Sequence, residues 1–107
     1  MIINFSEIEE KEIPNFRGGE KAYNVKMFDD GNTKIMSGRL VPGASIGLHT
    51  HETNCEVIFI LSGKGKAIYN GKTEEVYPGI CHYCPRGQSH SLINDSDQDL
   101  VFYATVC

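Results

Sequence analysis

Basic clusters, long apolar runs and helix signals are all missing from this chain, and each absence removes a class of function. Asp and Glu number 14 against 10 Lys and Arg, for a formal net charge of -4. With no run of Lys or Arg to neutralise phosphates, nucleic acid and anionic membrane surfaces are poor partners. No apolar stretch approaches the ~20 residues that a membrane-spanning helix needs. The stretch "MIINFSEIEEKEI" lacks the basic region and apolar core of a secretory leader, so a cytoplasmic protein is expected. In that compartment Cys55, Cys81, Cys84 and Cys107 should be free thiols, with Cys81 and Cys84 as small buried apolar residues.

Linkers, low-complexity segments and composition breaks are absent too, which points to one domain over residues 1–107 with residues 1–20 as an N-terminal arm. Hydrophobic content of 40% and charged content of 22% are ordinary for a globular chain, so disorder is not expected. A single helical turn at residues 6–11 is the only helix candidate, and Pro14 ends it. Glycine, by contrast, is frequent, with 11 residues. Turn signals separate short strand candidates at residues 21–28, 33–41, 56–61, 66–69, 72–76, 80–84, 89–93 and 100–106. Asn70-Gly71 is the preferred type I′ hairpin turn. The pattern is that of an all-β sandwich or barrel.

Two apparent motifs fail. Gly71-Lys72-Thr73 resembles the end of a phosphate-binding loop, but it lies in a hairpin and lacks the earlier glycine. Cys81 and Cys84 form C-x-x-C, yet residues three apart on a strand face opposite ways and cannot share an ion.

Only four histidines occur, and two of them stand in "LHTHETNCE", at His49 and His51. Residues two apart on a strand project from one face, so these rings can converge. Glu56 follows at an odd offset, which a bend at Thr53-Asn54 can correct. From Gly43 the spacing runs Gly, five residues, His49, one, His51, four, Glu56, six, Gly63. From Gly79 it runs Gly, five residues, Pro85, one, Gly87, two, His90, three, Asn94. These two patterns resemble the paired signature motifs of the cupin superfamily, the first over residues 43–63 and the second over residues 79–94. The gap between them suits one hairpin, as in small single-domain microbial cupins. Ile80 departs from the acidic residue that many members carry there, a position in a turn rather than a ligand.

The resemblance implies a double-stranded β-helix, or jelly-roll barrel, with His49, His51, Glu56 and His90 pointing inward to bind metal. Three imidazoles and a carboxylate suit one divalent transition ion per chain, Mn, Fe, Co, Ni, Cu or Zn, rather than Ca or Mg. A ligand set without cysteine that leaves positions open favours chemistry over a closed structural site. The resemblance therefore suggests a metalloenzyme acting on a small, oxygen-rich substrate that chelates the ion through two oxygens. Dioxygenase, isomerase, decarboxylase and lyase chemistries all remain open. The alternative is a non-catalytic small-molecule or metal-binding module. Glu56 would be the adaptable ligand and the proton acceptor of any reaction. Tyr83 or Cys84 is expected to face the cavity, with Phe102 also near it. Arg39 would hold a substrate carboxylate or pair with a surface acid. His82 is expected as a satisfied or exposed non-ligand. Open sheet edges and the alternating segment "MIINF" point to a homodimer.

Overall fold

Alternation of apolar and polar residues becomes strand structure along most of the chain in the computed structural model, which describes residues 1–107. The strands are β1 (Lys11–Pro14), β2 (Ala22–Asp29), β3 (Lys34–Leu40), β4 (Ser45–Thr50), β5 (Glu56–Ser62), β6 (Gly65–Tyr69), β7 (Lys72–Val76), β8 (Cys81–Cys84), β9 (Ser89–Ile93) and β10 (Leu100–Val106). They form a six-stranded sheet, β1-β2-β3-β10-β5-β8, and a four-stranded sheet, β4-β9-β6-β7. Neighbouring strands in both sheets run antiparallel. This is the all-β jelly-roll architecture expected from the motifs.

The inner faces of the sheets make the core. On β10, Leu100, Phe102 and Ala104 point inward and are buried, while Tyr103 between them faces out. Tyr23, Val25, Met36, Leu40, Ile58 and Ile60 complete the six-stranded side, against Ile46, Ala67, Val76 and Leu92 from the other sheet. Each large side chain buried there contributes ~1.5–3 kcal/mol of transfer free energy. Phe102 stacks on Tyr23, with ring centroids 5.9 Å apart. Asn70 and Gly71 both take positive φ, 49° and 80°, as the type I′ turn between β6 and β7 requires.

Several expectations need correction. The helical turn is a 3-10 turn at Phe5–Glu7 capped by Asn4, not a turn begun at Ser6. A β1 strand forms at Lys11–Pro14 despite its charges and proline, because it pairs only with β2 at the sheet edge, where proline is tolerated. All four cysteines are free, but Cys81 is exposed and only Cys84 is buried. Strand parity on β8 explains the split, since its residues alternate outward and inward.

Candidate metal centre

A bulge in β4 decides where the histidines point. Strand β4 pairs with β9 through Ile46↔Leu92 and then His49↔His90, so one extra residue lies between them. Unbroken alternation from buried Ile46 would have turned Leu48 inward and His49 outward. The bulge reverses the parity: Leu48 is exposed, and His49 and His51 face the space between the sheets. Residues 51–55 then carry the chain across to the six-stranded sheet, where Glu56 opens β5. The odd offset of Glu56 is resolved by this change of sheet. Hydrogen bonds from His51 N to Gln88 O (3.0 Å) and from Gly87 N to His51 O (2.6 Å) fasten the crossing to the turn before β9.

Four side chains consequently meet at one point. His51 Nε2 lies 3.2 Å from His49 Nε2, 2.9 Å from His90 Nε2 and 3.1 Å from Glu56 Oε1. His90 Nε2 is 2.9 Å from the same carboxylate oxygen. All four donor atoms lie within 4.8 Å of one another. Ligands at right angles around an ion, each ~2.1 Å from it, stand about 3.0 Å apart, so the separations fit a shared transition ion. Lone pairs and a carboxylate this close repel unless a proton or cation lies among them.

The outer ring nitrogens are occupied in a matching way. His49 Nδ1 donates to Gly47 O at 2.7 Å, and His51 Nδ1 meets Asn54 Oδ1 at 2.6 Å. His90 Nδ1 lies 3.0 Å from Nε2 of His82. A carbonyl oxygen can only accept, so it fixes the proton on Nδ1 and leaves Nε2 free as a ligand. His51, Glu56 and His90 are buried, and His49 is partly exposed.

Electrostatics divide the cluster. Burial alone would raise the Glu56 carboxyl, but hydrogen bonds from His51 and His90 and their charges outweigh it and hold it down at about 2. The Glu56 hydrogen bond raises His51 above its ordinary value against burial, with help from Asn54. Burial lowers His49.

A cavity of about 240 Å³ opens onto His49, His51 and Glu56. Its walls include Phe16, Tyr23, Met36 and Ile46, and two cations, Arg17 and Lys34, also line it. Arg17 arrives from the N-terminal segment with a left-handed backbone (φ 56°), a conformation that surrounding structure must enforce in a non-glycine residue. Gly19 and Gly47 provide that enforcement. Backbone meets backbone there, so a Cβ on Gly47 would collide with Arg17 O, and one on Gly19 with Ser45 O.

None of Tyr83, Cys84, Arg39 and Phe102 lines this cavity. Tyr83 is on the outer face of β8 and is exposed. Cys84 is buried opposite Glu56 on β5, its thiol 3.5 Å from Gln88 O and pushed up to about 11 by burial and then by Glu56. Arg39 pairs with Glu10 at 2.8 Å and Asp99 at 3.3 Å on the surface. Phe102 belongs to the core. The cavity residues Arg17 and Lys34 carried no sequence signal, since single cations in a turn and at a strand start are ordinary surface residues.

The comparisons with known proteins agree with this fold. A model of the cupin domain matches residues 36–106. A protein of Thermotoga maritima named an oxalate-binding protein is 36% identical over 112 residues, spanning 99% of this chain and 93% of that protein. The crystal structure of a predicted oxalate decarboxylase from Thermotoga maritima superposes with a TM-score of 0.92 at 32% identity, covering 99% of this chain and 97% of that one. A sugar phosphate isomerase of the cupin superfamily from Silicibacter pomeroyi shares the fold alone, with a TM-score of 0.80 at 19% identity over 99% of this chain and 74% of that one. By motif, fold and relatives, the chain belongs to the cupin superfamily.

Proposed function

We propose that this protein holds one divalent transition-metal ion through His49, His51, Glu56 and His90, and binds a small dianionic chelator of the oxalate class there. The candidate ions are Mn, Fe, Co, Ni, Cu and Zn, all of which accept a mixed nitrogen and oxygen set. Such an ion supplies Lewis acidity, and a preference for more than four donors leaves room for ligand oxygens. The observation that carries the ligand class is the pair of cations, Arg17 and Lys34, on the cavity wall of a chain with net charge -4. The name of the oxalate-binding relative supports the same class. Phe16, Tyr23, Met36 and Ile46 would exclude water around the ligand, which strengthens its attraction to the cations.

Binding is the first reading, in keeping with the relative named an oxalate-binding protein. Turnover is the second reading, supported by the solved relative described as a predicted oxalate decarboxylase. One experiment separates them. Metal-loaded protein should bind oxalate by calorimetry and release neither carbon dioxide nor formate over hours. Product release that disappears in Glu56→Gln at matched metal occupancy would install the enzyme reading instead.

We further propose a cytoplasmic homodimer. Phe59, Leu61, Tyr83 and Tyr103, all exposed on the outer face of the six-stranded sheet, support a second copy as the cover for that face.

A further inference from the structure

His82 lies outside the signature motifs, yet it is buried against a member of the cluster. His82 is 3% exposed, and its ring plane lies 15° from that of His90 with centroids 5.2 Å apart, so the two rings meet nearly coplanar and end to end. Its Nε2 is 3.0 Å from His90 Nδ1, and its Nδ1 is 3.1 Å from Glu74 Oε1. The contact spans the fold, because His82 stands on β8 at the edge of one sheet and Glu74 on β7 at the edge of the other. His49 and His51 take their orientation from acceptors in their own segment, Gly47 and Asn54. His90 has no such local acceptor on its Nδ1; its partner there is another imidazole, whose two nitrogens can each either give or accept.

We infer that His82 and Glu74 are positioning residues that hold His90 in its metal-ligating tautomer. The carboxylate sets the direction of the chain. Ionised Glu74 has no proton to give, so His82 must donate from Nδ1, which leaves Nε2 as an acceptor. That acceptor takes the Nδ1–H of His90, and the His90 Nε2 lone pair is left facing His49, His51 and Glu56. Reversing the chain at Glu74 would put the His90 proton on Nε2, where a metal ion must bind. Ligating histidines held this way lose affinity when the outer partner is removed, commonly by 10–100-fold. The inference rests on the metal assignment proposed above.

The test is Zn²⁺ affinity of the purified full chain, measured by competition with a chromophoric chelator, in His82→Leu, His82→Gln, Glu74→Lys and Glu75→Lys. His82→Leu removes the acceptor and should weaken Zn²⁺ binding about 10-fold or more. Gln can accept and donate in the same order, so His82→Gln should stay within about 3-fold of wild type. Glu74→Lys presents a donor in place of an acceptor and should weaken binding about 3-fold or more, while the neighbouring Glu75→Lys controls for charge. Glu74 is half exposed, so that variant folds even if His82→Leu does not. Nitrogen-15 spectra of the Zn²⁺ protein should show His90 protonated on Nδ1. Wild-type affinity in both His82→Leu and Glu74→Lys, or a His90 ring bound through Nδ1, overturns the inference alone. Wild-type protein that takes up no Zn²⁺ overturns the metal assignment with it.

Discussion

His51 is the most connected member of the cluster, with its Nε2 within 3.2 Å of His49, His90 and Glu56. The Glu56 hydrogen bond raises its pKa above the ordinary 6.5, so it still holds a proton where His49, lowered by burial, does not. That proton must leave before Nε2 can bind an ion. Apparent metal affinity should therefore fall as pH drops through the raised His51 value, and hold steady with respect to this group above it. Calorimetry in buffers of different ionisation enthalpy should find protons released on metal binding, with more released at lower pH. Zero release would remove His51 from the ligand set. Under the proposed function, Arg17 would act on the ligand rather than the metal. Arg17→Ala should weaken oxalate binding to the loaded protein about 5- to 10-fold and leave metal uptake unchanged. Equal oxalate affinity would leave the guanidinium as solvated surface.

Elements, rather than single residues, aim the site. The β4 bulge turns His49 and His51 inward, and the same stretch of β4 receives the N-terminal segment that carries Arg17. Gly47 serves both purposes. Gly47→Ala must push the two backbones apart, and a destabilisation of about 1–3 kcal/mol is expected by denaturant titration, with weaker oxalate binding. On β10 the consequence is different. Phe102 fills the centre of the core without reaching the cavity, so Phe102→Ala should cost about 3–5 kcal/mol while any folded fraction still binds metal. A Phe102→Ala protein of normal stability without metal would return this residue to the site.

At the scale of the whole molecule, the outer face of the six-stranded sheet is unusually aromatic. Phe59 and Tyr103 pair directly across β5 and β10, and Phe5 stacks on Tyr103 at 5.4 Å. Met1 and Ile2 extend beyond this contact fully in solvent. A dimer through this face is expected in light scattering at micromolar concentration. Phe59→Glu with Tyr103→Lys should shift it to monomer without changing metal content. A wild-type monomer, or an unaffected dimer in the double variant, would place the interface elsewhere or remove it.

The candidate cluster was legible because its information is local. His49, His51 and His90 belong to a residue type that occurs only four times, the resemblance to the cupin motifs adds Glu56 to them, and the Asn70-Gly71 turn is specified by its own two residues. Strands β7, β9 and β10 followed from the turn signals that bound them, with their bounds intact. Other features depend on partners distant in sequence. The β4 bulge exists through pairing with β9, and no periodicity within residues 45–50 announces it. Strand β1 forms because β2 offers it an edge. Arg17 enters the cavity because two glycines some thirty residues apart let backbones touch, and His82 reaches His90 only when the edges of two sheets meet. Sequence by itself determined which atoms can ligate, since that is a property of side-chain chemistry and spacing. Tertiary structure decided what surrounds them, because cavity walls and outer hydrogen-bond partners are assembled from strands that become neighbours only on folding.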